Sequence, residues 1–217
     1  MSELVVRHLK TATGEICMSP RSPRAADTFN HVLVGGNTSL LPLLMRAQIK
    51  AGLLGGEVYV AGFGPDDISS AAVWFGPDQE LLDTPEQGAA GFNEFMGSIT
   101  EGTRTWWTSK FFPFYGATTT EAFGEGFKKA NWHLQLLATE PRAQRKGLAT
   151  ALIKAVYRLA REKGKALTVE TETEGALKFY KDTGFVLKAE KPVPLDGAEG
   201  VEDEPIPMYV LWKEHKA

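Results

Sequence analysis

The stretch WHLQLLATEPRAQRKGLATALIKAVYRL, residues 132–159, sets the architecture that the rest of the chain must accommodate. His133, Gln135, Leu137 and Thr139 alternate with Leu134, Leu136 and Ala138. A period of two with one set wholly apolar predicts a strand in a covered sheet. Pro141 ends it, because proline cannot donate to a ladder. From Leu148 the apolar positions Leu148, Leu152, Val156 and Leu159 recur at helical spacing, with Lys154, Arg158 and Arg161 outside and Gly164 as a C-terminal stop. The loop from Gln144 to Ala149 therefore lies where a helix begins. Unpaired backbone N–H groups and the helix dipole favour an anion there. Gly147 has no Cβ, so a phosphate can approach the backbone closely, and Ala149 keeps a second contact point small. Arg142, Arg145 and Lys146 add positive charge around the mouth.

Working outward, ALTVETE (166–172) reads as the next strand and GALKFYKDTGF (175–185) as a short helix and its stop. Upstream, VVRHL (5–9), EVYVAGF (57–63) and SAAVWFG (70–76) are strand candidates, with Pro65, Asp66 and Asp67 turning between the last two. One helix is expected from about Ser22, with Pro23 in its first turn, through Phe29 and Val32, and a second over 40–54. The pattern is α/β: a mixed central sheet flanked by helices. Residues 77–130 exceed what a hairpin-to-strand connection needs and are expected to insert one or two helices over the mouth of the site. Six aromatic residues fall between Trp106 and Tyr115. They form either the core of the inserted helices or an aromatic acceptor pocket; for nucleic-acid stacking the basic interleaving is thin, only Arg104 and Lys110. The acidic, Gly- and Pro-containing stretch 195–207 is expected to be a mobile, solvated loop between two strands, or to attract a cationic amine.

A length of 217 residues suits one domain, here 1–217, and 43% hydrophobic residues suffice for a sizeable core. A net charge of −3, from 27 acidic and 24 basic side chains, argues against a nucleic-acid coat. The lone Cys17 excludes an intrachain disulfide and reads as a small hydrophobe. The N-terminus lacks a secretory pattern, and no window approaches the ~20 apolar residues of a membrane span. The expectation is a cytoplasmic protein with no membrane or nucleic-acid partner. Neither Gly-x-x-x-x-Gly-Lys-Ser/Thr nor Gly-x-Gly-x-x-Gly occurs, and the four histidines and one cysteine show no ligand spacing, so no metal is expected.

Gln-Arg-Lys-Gly-Leu-Ala (144–149) matches Gln/Arg-x-x-Gly-x-Gly/Ala, and GALKFYKDTGF matches Ala-x-x-x-Tyr-x-x-x-Gly-Phe. In this strand–loop–helix–strand–helix context the chain resembles the GNAT N-acetyltransferase superfamily over its C-terminal part from residue 132. The resemblance implies an acetyl-CoA-binding core over 131–190. The pantetheine arm would bond the backbone of Leu136, Leu137 and Thr139. The pyrophosphate would meet the N–H groups of Gln144, Arg145, Lys146, Gly147, Leu148 and Ala149, with the Thr150 hydroxyl beside them. Thr173 stands where many members carry an Asn on the cofactor; a threonine there keeps that contact or caps the following helix. Ala149 for Gly and Thr139 for Val are mild departures. Tyr180 stands where the family often has the tyrosine that protonates the leaving thiolate.

The activity implied is acetyl transfer from acetyl-CoA to a primary amine, with a small molecule as acceptor, by direct attack in a ternary complex. The amine must lose a proton and the departing thiolate is helped by gaining one. Tyr180 is the candidate acid and also a candidate cofactor contact. His133 is a candidate base, or a strand histidine at a sheet edge; its position resembles the first of two strand histidines in arylalkylamine acetyltransferases, the second being Gln135 here. Glu170 and Glu172 are rival bases on one face of the next strand, and solvent serves if no side chain does. A protein or peptide acetyltransferase and a non-catalytic acyl-CoA sensor stay open, as do monomer and homodimer.

Overall fold

The period-two pattern produces seven strands: β1 (Leu4–Leu9), β2 (Glu57–Phe63), β3 (Ser70–Phe75), β4 (Trp132–Thr139), β5 (Leu167–Thr171), β6 (Val186–Pro192) and β7 (Pro207–Lys213). In the computed structural model, which describes residues 3–9, 27–201 and 204–215, they form one sheet in the order β1-β2-β3-β4-β5-β7-β6. Every neighbouring pair is antiparallel except β4 and β5.

Both faces of the sheet are covered, so single strands divide between two cores. Tyr59, Ala72, Trp74, Tyr209 and Leu211 face one side, while Val58, Val73, Phe75, Met208 and Val210 face the other. The helices are α1 (Asp27–Leu33), α2 (Leu41–Gly55), α3 (Pro85–Gln87), α4 (Asn93–Ser98), α5 (Glu101–Trp106), α6 (Phe112–Phe123), α7 (Phe127–Ala130), α8 (Leu148–Glu162) and α9 (Glu174–Asp182). Helix α8 buries Leu148, Leu152, Ile153, Val156 and Ala160 against the first face, joined there by Leu177 and Tyr180 of α9. Helix α2 lies on the second face. Gly52 allows its close approach: a Cβ there would come within 2.4 Å of Val73 Cγ1.

The insertion is more helical than the one or two helices expected. It holds α3 to α7, and π-helical turns over Gly88–Phe92 and Trp107–Phe111 replace simple breaks. Thr84 and Thr100 cap α3 and α5 by accepting the N–H groups of Gln87 and Thr103. With α1 and the inner face of β7, it forms a core of Phe95, Trp106, Trp107, Phe111, Met208 and Val210. The start expected for the first helix, Ser22 and Pro23, and Cys17 lie outside the described residues. The acidic stretch between β6 and β7 stays largely solvent-accessible, as expected, but is tied to the insertion. The Glu199 carboxylate accepts from the hydroxyls of Thr100 and Thr103 at 2.5 and 2.8 Å. Lys110 reaches Asp196 at 2.9 Å, and Gly200 packs on the backbone of Gly36. No helix among the described residues is long and apolar enough to cross a membrane.

Candidate active site

The alternation expected along β4 fails at one residue. Trp74 lies opposite Leu134 but Val73 lies opposite Leu136, which leaves Gln135 as the extra residue of a β-bulge. Strict alternation would put Leu134 and Leu136 on one face. The bulge sends Leu134 and Leu137 toward α8 and Leu136 toward α2. Just there, β4 leaves β5: the parallel ladder joins only Trp132, His133 and Leu134 to Leu167, Thr168 and Val169. On its other side β4 stays paired with β3 as far as Thr139. The strands thus form a wedge in which β4 backbone beyond Leu134 has no ladder partner from β5. The wedge opens on a cavity of about 840 Å³, lined at this end by Leu134–Leu137, Val169–Thr173 and Tyr180.

The loop before α8 is built for an anion. Arg145 (φ 59°) and Gly147 (φ 87°) are both left-handed, which turns successive N–H groups outward. The first helical bond runs from Ala151 N–H to Gly147 O at 2.9 Å, so the N–H groups of Leu148, Ala149 and Thr150 have no acceptor one turn back. A Cβ on Gly147 would meet no protein atom within 4 Å; the space above it is open to a ligand. The Leu148 side chain is 1% exposed in the core, so only its backbone faces the loop. Arg145 and Lys146 are exposed, while Arg142 is engaged by Glu140 at 2.6 Å. Gln144 donates to Thr139 O at 3.3 Å, bracing the loop against the end of β4. The Thr139 hydroxyl lies 2.7 Å from Ser70 Oγ, which itself donates to Ala138 O, so Thr139 donates to Ser70. Thr173 accepts the N–H of Ala176 at 3.2 Å and caps α9.

On the face opposite α8 the insertion meets β4 and β5 in a buried polar cluster. The Thr168 hydroxyl donates to Trp132 O at 3.3 Å, so its lone pair takes the Nδ1–H of His133 at 3.1 Å. This tautomer leaves Nε2 of His133 as an acceptor, 3.5 Å from the Tyr115 hydroxyl and 3.4 Å from Glu170 Oε2. Tyr115 donates to Glu170 Oε2 at 2.5 Å, and Lys128 Nζ donates to the Tyr115 oxygen at 2.7 Å. Burial, with Lys128 adding repulsion, holds the His133 imidazole neutral, well below its ordinary range. Burial raises Glu170 despite Lys128 and Tyr115, which pull it down. Burial and the neighbouring Glu170 push Glu172 up to about 8. Tyr115 and Tyr180 are raised by burial and by the same carboxylates, so both phenols stay protonated.

The structure brings His133, Glu170, Glu172 and Tyr180 to one cavity. His133 belongs to the middle strand of the sheet and is 4% exposed; it is not at an edge. Two members were missed by sequence reasoning. Tyr115 stood in the aromatic run, read as core or acceptor pocket with no polar role assigned to it, and Lys128 was not singled out. The aromatic run itself divides. Trp107, Phe111, Phe112 and Tyr115 line the cavity, whereas Trp106 packs in the core and donates to Pro194 O at 2.7 Å. The two π turns supply Phe92, Trp107 and Phe111 to the cavity wall, in keeping with the association of such turns with functional sites.

No curated protein matches the sequence. Among solved structures, the chain resembles a putative arylalkylamine N-acetyltransferase 7 from Aedes aegypti, with a TM-score of 0.59 and 12% identity over 88% of this chain and 77% of that one. It is also similar to an apo variant of agmatine N-acetyltransferase, with a TM-score of 0.55 and 13% identity over 98% of this chain and 100% of that one. A third similar structure is arylalkylamine N-acetyltransferase 2 from Aedes aegypti, with a TM-score of 0.55 and 17% identity over 81% of this chain and 80% of that one. These likenesses establish a shared fold. The family model described as "Acetyltransferase (GNAT) domain" matches residues 80–202. With more than half its length under that model, and with the wedge, anion loop and strand order just described, the chain belongs to the GNAT acetyltransferases.

Proposed function

We propose that this acyltransferase moves the acetyl group of acetyl-CoA to the primary amine of a small molecule held in the cavity over β4 and β5. The observation that carries the reading is the meeting of the wedge with the buried Tyr115–Lys128–Glu170–His133 cluster inside one cavity. The residues at the wedge and loop fit the donor: free strand backbone on one side, free helix N–H groups and an open Gly147 on the other.

In the proposed chemistry the acceptor arrives as an ammonium. Glu170 takes its proton, directly or through His133 Nε2, whose lone pair is available in the tautomer fixed by Thr168. Lys128, acting through Tyr115, offsets the negative charge on Glu170. The free amine attacks the acetyl carbonyl, the C–S bond breaks, Tyr180 donates its phenolic proton to the thiolate, and the surplus proton on the new amide nitrogen passes to the Tyr180 phenolate and restores it. A small acceptor is favoured because the insertion covers the carboxylates: the Glu170 side chain is 6% exposed, out of reach of a lysine on a folded protein surface.

Thermal unfolding against rising acetyl-CoA, followed by thiol release with a panel of small amines and lysine peptides, tests this. A ligand bound only to the folded state adds about 2.7 kcal/mol at a hundred times its dissociation constant. A melting shift with thiol release from small amines is expected. Release from peptides alone would transfer the activity to protein acceptors; a shift without release from any amine would make the chain an acyl-CoA sensor.

A further inference from the structure

Resting on that reading, and deepening it, we infer that the acceptor is an amine that carries no carboxylate: one ammonium on an apolar or aromatic body. The reactive end of the cavity holds an incomplete polar arrangement. Glu170 Oε2 is engaged by Tyr115, but Oε1, on a side chain 6% exposed, has no hydrogen-bond partner among the described residues. A buried carboxylate oxygen without a donor is costly, and an ammonium is the donor that satisfies it with charge as well as hydrogen bonds. Glu172 stands beside it on the same wall.

The charges around the cavity point the same way. Its lining contains Glu80, Glu125, Glu170 and Glu172 against Lys128 and Lys129. Lys129 is turned to Asp83 at 3.1 Å. Lys128 is held on the Tyr115 hydroxyl, with its ammonium 4.4 Å from the centre of that ring, and it faces Glu170 and Glu80. His133 is neutral and points its only N–H at Thr168. A carboxylate on the acceptor would find no free cation among the described residues that line the cavity and would meet Glu170, Glu80 and Glu125. The remaining wall, with Phe92, Trp107, Phe111 and Phe112, offers aromatic surface to an uncharged body.

The test compares phenethylamine with phenylalanine, which differ only by the carboxylate. Calorimetric binding to the protein saturated with coenzyme A is measured alongside thiol release from acetyl-CoA. Phenethylamine is expected to bind about a hundredfold tighter than phenylalanine or better, and Glu170→Gln to weaken it about tenfold or more while leaving coenzyme A affinity unchanged. Equal binding of the two compounds, binding of neither, or tighter binding of phenylalanine that disappears in Lys128→Met would overturn the inference, the last by making Lys128 a carboxylate anchor. Tight amine binding without thiol release would sink the transfer reading and leave the acceptor class standing.

Discussion

Tyr180 and Glu172 lie in one cavity, but burial acts on them in opposite functional senses. For Tyr180, burial and the carboxylates keep the phenol protonated, as a proton donor must be. Tyr180→Phe should reduce turnover by about a hundredfold while leaving acetyl-CoA affinity intact; an unchanged kcat in steady-state assays would remove Tyr180 from the chemistry. For Glu172, burial makes the ionised form unwelcome. Its pKa in the folded protein, about 8, lies above the ordinary carboxylate value, so the folded state binds the proton that the unfolded state releases. Stability from this group is complete below the ordinary value and is lost as pH rises through about 8. The melting temperature should therefore fall more steeply between about pH 5 and about pH 8 in the wild type than in Glu172→Gln, where the titration is absent. Parallel curves for the two proteins over that range would refute the assignment. Glu170 on β5 and Glu172 just beyond its end were legible as candidates from their spacing alone. Their partners Tyr115 and Lys128 were not, because the contact joins residues on α6, α7 and β5 that no local pattern relates.

The unit from β4 through α8 was legible because local physics decides each step of it: alternation, proline, glycine, then helical spacing. The bulge at Gln135 was not, since a single extra residue changes no composition and shows only against β3. The glycine that opens α8 gives a separable prediction. Ala at position 147 would strike nothing in the protein but would sit at φ 87°. Gly147→Ala should cost about 1–2 kcal/mol of stability from backbone strain. It should also weaken acetyl-CoA binding, because the added methyl group occupies the space the helix N–H groups face. Full retention of affinity in a titration would show that the donor does not approach this turn. On the core side of the same helix, Leu152 is 0% exposed. Leu152→Ala should destabilise by about 2–5 kcal/mol in denaturant unfolding without changing donor affinity in the folded protein.

At the level of the molecule, the sheet divides the labour. One face carries α8 and α9, with the anion loop at the start of α8. The other carries α1, α2 and the insertion, which wall the cavity. The first half of this plan could be read from residues 132–185, where regular periods follow one another. Of the second only an insertion over the mouth was legible, because its helices are short, are broken by π turns, and derive their order from tertiary contacts rather than from amphipathic repeats. The Glu199 tie has a consequence for how the chamber is made. Thr100 and Thr103 wait for a carboxylate 99 and 96 positions further on, and Trp106 waits for a carbonyl 88 positions further on. A chain growing from the ribosome therefore makes 88 further residues before Trp106 can donate to Pro194. Met208 and Val210 of the same core follow later still, so the insertion is sealed only when β7 emerges, the strand that also completes the core on the other face.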